Sequence, residues 1–139
     1  ATLGFHAGLF DYEGVKAFAQ YVSQAKTHLS TPQMFFRAII ANWLVCIATW
    51  LQLGAKDPIG KMLYIWFPIF SFVAMGVEHS VANMFLIPAG ILAGSGVAIS
   101  ELARNLFVVS LGNAVGGAVM VAGFAHFLYG KYVQKDAAK

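Results

Sequence analysis

Between Met62 and Ser100 the chain carries one formally charged residue, Glu78, and His79 lies directly beside it. A run this apolar is typical of helices that lie inside a lipid bilayer. An ionisable side chain at membrane depth is costly, so it marks a binding or conduction site by default rather than simple packing. The Glu78–His79 pair therefore predicts a functional site in the middle of this run.

The composition agrees with a membrane location. Apolar residues make up 59% of the chain and charged residues 11%, whereas soluble domains carry roughly 25% charged residues. The net charge of +3 comes from basic residues mostly outside the apolar runs, which is typical of charge that orients membrane spans. No basic patch with interleaved aromatic residues occurs, so nucleic-acid binding is not expected. The sequence predicts an all-α membrane protein.

Three transmembrane spans are predicted. About 20 apolar residues cross a bilayer core, and this length places the first span at residues 31–55 and the last at residues 105–130. The segment 62–100 is too long for one crossing and marginal for two. Because its centre contains glycine and polar residues without a polar turn, we interpret it as one span broken near residues 74–77. Exposed backbone at membrane depth is tolerated only inside protein or beside a cavity, so a broken span predicts a cavity.

The remaining segments are connections. Residues 1–30 are predicted to be an extracytoplasmic linker with an amphipathic helix lying at the membrane surface, because Val15, Phe18 and Val22 recur at helical spacing. Residues 131–139 form a charged tail. Lys56 and the tail lysines fall on one side of the membrane, which the positive-inside rule assigns to the cytoplasm. The chain begins without methionine or a signal peptide, as a processed or truncated chain would.

The chemistry of the break favours an anion. Histidine titrates near neutral pH and can donate a proton there. At the start of a half-helix it would combine with free backbone N–H groups and the positive end of the helix dipole. Glu78 is interpreted as structural support, because a bare carboxylate would repel an anion. Phe72 would form an apolar constriction beside His79. Asn42 and Asn113, which lie deep in apolar runs, are interpreted first as hydrogen-bonding struts between helices.

The same residues carry a family resemblance. The run FVAMGVEHSVANMFLIPAGI from Phe72 closely resembles the second broken helix of the formate/nitrite transporter family. The runs ANWLVCIATW from Ala41 and LGNAVGG from Leu111 occur in the same order as in that family. The resemblance covers nearly the whole chain, but only the C-terminal half of the family, and it is nearest to formate channels.

This resemblance implies a fold and a set of partners. It implies an aquaporin-like half with three spans, the middle one broken, within a six-span protomer of two inverted repeats. The expected partners are the missing N-terminal half, four further copies in a homopentamer, the lipid bilayer and a small anion. The expected location is the inner (cytoplasmic) membrane, with several crossings. We expect a chain that is a fragment of a longer protein.

The resemblance also assigns residues. His79 would be the central pore histidine and Asn42 its polar neighbour. Phe72 would belong to the cytoplasmic constriction and Val45 to the periplasmic one. Lys26 would add positive potential at the outer vestibule.

The predicted function is a channel for small monovalent anions, most of all formate, in which His79 shares a proton with the anion. A nitrite or hydrosulfide channel of the same family is the first alternative. A membrane anchor of a redox complex, with His79 and His126 as haem ligands, is an alternative of a different class. No nucleophile–base set or metal-ligand spacing points to an enzyme or to a cofactor.

Overall fold

The structure is a computed structural model that describes the backbone of residues 1–137 and the side chains of residues 1–130. All regular secondary structure in this part is helical, and short loops connect the helices. A six-residue π-helical segment, Ala118–Gly123, lies within the last long helix, and we call it the π segment. The α-helices in chain order are α1 (Thr2–His6), α2 (Glu13–Thr27), α3 (Thr31–Gly54), α4 (Pro58–Ala74), α5 (Ser80–Leu92), α6 (Ile99–Gly117) and α7 (Phe124–Ala137).

Two of these helices are long and apolar enough to cross a membrane. They are α3, with 24 residues, and the continuous helix Ile99–Gly130, with 32 residues. The start of α3 is fixed by a capping box: the backbone N–H of Gln33 donates to Ser30 Oγ, and the backbone N–H of Ser30 donates to Gln33 Oε1. Such a cap satisfies N–H groups that the first turn leaves without a partner. Helix α3 occupies residues 31–54 of the segment 31–55 that was predicted to be a span.

The last long helix begins earlier than predicted. Its first turn lies at Ile99, so Glu101 to Arg104 form helix rather than the predicted connection. The reason is local: the Glu101 side chain accepts the Ala98 N–H at 2.8 Å and so closes the helix start. The tail predicted at residues 131–139 is helical as far as Ala137, and its last two residues and all its side chains lie outside the described part.

The core lies where α3 crosses α6. Met34, Ala38 and Val109 are fully buried there. The helices approach so closely that a Cβ on Gly112 would lie 2.5 Å from the Phe35 carbonyl oxygen. Small residues at such spacing let membrane helices pack through their backbones, so this glycine position has a packing role.

The middle segment is broken, as predicted, between α4 and α5. Gly76 ends the first half with φ 59°, a conformation that L side chains rarely adopt. The second half begins at Ser80, two residues later than the predicted start near Glu78. In α4 none of the 17 residues is buried, and among the described elements this helix packs mainly on α3.

Helix α2 packs on α5 through its polar side. Its buried residues are Ser23 and Thr27, which face α5, whereas Val15 and Phe18 of the apolar stripe are exposed. The fit is close, because a Cβ on Gly90 of α5 would overlap the Ser23 side chain. An apolar outside with small polar residues inside is the reverse of a soluble helix and suits a lipid environment.

Candidate functional site

The candidate site is the break between α4 and α5, where His79 is the last residue before the half-helix α5. Its backbone is extended, with φ −128° and ψ 125°, and its side chain is half-buried. The imidazole packs edge-on against Phe72, with ring centroids 5.6 Å apart. Among residues 1–130 the imidazole nitrogens have no hydrogen-bond partner, so both are available to a ligand.

Glu78 has the opposite environment. Its side chain is 1% exposed, and Lys26 Nζ lies 3.0 Å from its Oε1 atom. The Asn83 amide donates to the other carboxylate oxygen, Oε2, at 2.6 Å. Both oxygens of the carboxylate are thereby satisfied, as a buried charge requires. This contact set fits the predicted structural role of Glu78.

Lys26 approaches Glu78 from the end of α2. Its side chain is 14% exposed, and its charge is largely balanced by the carboxylate. The backbone of the same residue is also held, because the Asn105 amide of α6 donates to the Lys26 carbonyl at 3.0 Å. Asn105 in turn accepts from Asn83 at 2.8 Å. A closed ring of contacts therefore connects α2, the break, α5 and α6.

Asn113 of α6 holds the break from the other side. Its amide nitrogen donates to the carbonyls of Ala38 and Glu78, at 2.8 Å and 3.2 Å. Its amide oxygen accepts from both the N–H and the hydroxyl of Ser80, each at 2.9 Å. The side chain is only 6% exposed. Since Glu78 and Ser80 flank His79, one amide fixes the backbone on both sides of the histidine.

The half-helix start is less open to an anion than the sequence suggested. We predicted free backbone N–H groups at this end, but the Ser80 N–H is already bound to Asn113. The N–H groups of Val81 and Ala82 have no acceptor among the described residues. They lie in the first turn of α5, where unsatisfied N–H groups and the helix dipole favour negative charge.

The structure brings the predicted site residues into two groups. His79 and Phe72 are in direct contact, while Lys26 and Glu78 form the ion pair. Asn42 reaches the site only indirectly, because its amide donates to the Asn113 carbonyl at 2.7 Å. Val45 is half-buried on α3, and the described contacts do not join it to His79.

Three supporting residues were not identified from the sequence as parts of the site: Ser80, Asn83 and Asn105. Their signal was available, since each is a polar residue within an apolar run. Their partners, however, lie on other helices, and spacing along one chain does not show such contacts. No group of three or more metal-ligating side chains occurs in the described part of the chain.

Comparison with known proteins gives a consistent result. The family model described as "Formate/nitrite transporter" matches residues 1–127. A probable formate transporter of Methanothermobacter thermautotrophicus is 47% identical over 83 residues, which are 57% of this chain and 30% of that protein. A nitrite transporter of Salmonella typhimurium is 42% identical over 62 residues, covering 45% of this chain and 23% of the relative.

The fold also matches a solved structure described as a pentameric formate channel with formate bound. The TM-score is 0.78 and the identity 29%, over 92% of this chain and 58% of that one. The matched residues make up less than a third of the length of the Methanothermobacter thermautotrophicus and Salmonella typhimurium relatives. The chain therefore corresponds to only a part of the proteins that it resembles.

Proposed function

This chain belongs to the formate/nitrite transporter family, and we propose that it forms part of the pore of a channel for small monovalent anions, formate foremost. One observation carries the proposal: the two ionisable neighbours in the break differ completely in their surroundings. Glu78 is bound by Lys26 and Asn83. The backbone on both sides of His79 is held by Asn113, and its imidazole has no hydrogen-bond partner among residues 1–130. An imidazole on a fixed backbone and without such a partner suits the binding of a small ligand.

The proposed mechanism begins with the cost of moving charge. A carboxylate that enters a narrow apolar passage loses its water shell, which is costly in a low-dielectric medium. The ring of Phe72 beside His79 would provide such a passage. A hydrogen bond or a shared proton from the imidazole would offset the cost, and the free N–H groups of Val81 and Ala82 would add favourable dipoles. The anion would cross the constriction in a partly neutralised form.

We propose that the rest of the pore wall comes from the part of the protein that precedes this chain. The proposed whole is an aquaporin-like protomer of six spans in two inverted repeats, assembled as a homopentamer in the inner membrane. The description of the solved relative as pentameric supports the assembly. Transporters with inverted repeats place their sites at broken helices near the membrane midplane, which supports the position of His79.

The experiment uses the full-length protein in liposomes. Uptake of formate, nitrite, hydrosulfide and sulfate is measured under the same gradient. The proposal predicts flux of the monovalent anions, with formate fastest, and no flux of sulfate. Equal flux of sulfate would contradict a passage that depends on neutralising one charge with one proton.

A nitrite channel is the second candidate, and the similarity to the Salmonella typhimurium nitrite transporter favours it. The same fluxes decide between the two candidates, since a nitrite channel would carry nitrite faster than formate. Of the alternatives considered from the sequence, the redox-complex anchor finds no counterpart among the relatives reported above.

A further inference from the structure

A groove runs along the outside of the packed helices, away from His79. Its deepest part lies between α3 and the π segment, has a volume of about 440 Å³ and is almost purely apolar. Phe124 at its edge is 58% exposed. Its main lining residues are Trp43, Ile47 and Trp50 from α3, with Met120, Val121 and Phe124 from the last helix.

The groove arises from a change in packing along the last helix. At Gly112 and Gly116 the helix contacts the α3 backbone so closely that no side chain would fit. Beyond Gly117 the residues of the last helix that lie beside α3 are larger: Met120, Val121 and Phe124. Val121, five residues after the buried Gly116, is half-buried and lines the groove, whereas residues 118–120 between them are exposed. The space between α3 and the π segment is lined by these larger apolar side chains.

The groove continues towards the end of α3. It shares Trp50 and Leu51 with a second cavity of about 620 Å³, which Tyr64 and Tyr129 also line. The rings of Trp50 and Tyr129 meet edge-on, with centroids 6.0 Å apart. The second cavity shares Gly54 and Tyr64 with a third of about 560 Å³. Because each cavity adjoins the next through shared lining residues, we call the three together the trough.

The far end of the trough is charged. Lys56 and Asp57 line the third cavity, and both are exposed. Asp57 is engaged as the cap of α4, because its carboxylate accepts the Gly60 N–H at 2.8 Å. Lys56 has no ion-pair partner within the described residues. Lys56 therefore supplies the positive charge at this end, and the Asp57 carboxylate in the same cavity is already engaged by the start of α4.

We propose that this trough binds one anionic phospholipid, with an acyl chain between α3 and the π segment and the headgroup phosphate at Lys56. Along the trough, the lining changes from apolar side chains to Trp50 and the tyrosines and then to Lys56. This order matches the acyl chain, the ester groups and the phosphate of a phospholipid. Trp and Tyr prefer the level of the membrane interface, where the ester groups lie. A cation just beyond them attracts anionic headgroups. This site is separate from the pore, so it stands apart from the proposed transport function.

The occupant is identified by photo-crosslinking in the full-length protein. A benzophenone amino acid replaces Phe124, cells are irradiated, and the purified protein is analysed by intact mass and by peptide mapping. A mass increase equal to one phospholipid is the expected result. A crosslink to another protein segment, from the same or a second copy, would overturn the proposal, as would the absence of any lipid adduct under irradiation.

The headgroup is tested with a matched pair of lysine variants. Lys56 lines the trough, whereas Lys61 is equally exposed but lies outside the described cavities. Full-length Lys56→Gln and Lys61→Gln are compared with wild type by native mass spectrometry in mixed phosphatidylglycerol and phosphatidylcholine. We expect Lys56→Gln to reduce the preference for phosphatidylglycerol by about fivefold, the effect of one cationic contact, and Lys61→Gln to leave it unchanged. Equal loss in both variants, or loss in neither, would refute a headgroup site at Lys56.

Discussion

Glu78 and His79 are neighbours in the chain, yet they lie in opposite surroundings. The carboxylate is buried, paired with Lys26 and bound by Asn83. The imidazole contacts Phe72 and has no hydrogen-bond partner among the described side chains. We propose that this difference lets the break be both stable and functional, with Glu78 serving the structure and the imidazole of His79 left for a ligand.

The largest effect is expected from removing one partner of the ion pair. Lys26→Met leaves the Glu78 carboxylate buried and uncompensated, which costs about 3 kcal/mol. We expect a strong loss of folded protein, measured by the thermal unfolding of the full-length channel in detergent. The double variant Lys26→Met/Glu78→Leu should recover part of this loss, because both charges are then removed. A single variant as stable as wild type would show that the carboxylate is not held by this pair.

Removing the Asn113 amide is expected to have the next largest effect. Asn113→Leu removes the partner of the Ser80 N–H and of the Glu78 carbonyl, and we expect a loss of about 2 kcal/mol once water reaches these groups. Because Asn113 fixes both neighbours of His79, formate flux should fall and its pH midpoint should shift. Thermal unfolding and the pH profile of flux are measured together.

Gln20→Leu is the matched control for Asn113→Leu. The Gln20 amide also donates to a carbonyl on another helix, that of Ala93 at 2.7 Å, but it lies at the far end of α5. We expect lower stability with an unchanged pH midpoint. A shift of the midpoint in both variants would mean that general loosening moves it and that Asn113 has no special position.

A smaller effect is expected at Ser80. Ser80→Ala removes the hydroxyl contact to Asn113 but keeps the N–H contact, so we expect a loss of about 1 kcal/mol. The thermal midpoint of the purified channel reports it. A loss as large as that of Asn113→Leu would contradict this assignment of contacts, since the Ser80 N–H still donates to Asn113 in the variant.

The sequence predicted the parts of this site that depend on residue type and local spacing. The break, the Glu78–His79 pair and the neighbouring ring of Phe72 all follow from polar and glycine residues within an apolar run. The start of the last helix was predicted too late, because Glu101 and Arg104 looked like loop charge. A single capping contact at Ala98 makes them helical.

The orientation of α2 and the contacts of Asn83, Asn105 and Asn113 could not be derived in the same way. Each depends on which side chain lies across a helix interface. The apolar stripe of α2 predicted only that the helix has two faces. The structure adds that Ser23 and Thr27 are buried while Val15 and Phe18 are exposed, so the apolar stripe points away from the packed helices.

His79 itself should have the smallest effect on stability, since its imidazole has no hydrogen bond to lose within the described part of the chain. The pH dependence of formate flux through full-length His79→Gln in liposomes, compared with wild type, therefore tests the central proposal most directly. The variant should fold and assemble normally, and its flux should lose the change with pH near neutrality that we expect of wild type. A wild-type pH profile in His79→Gln would contradict proton sharing at this residue.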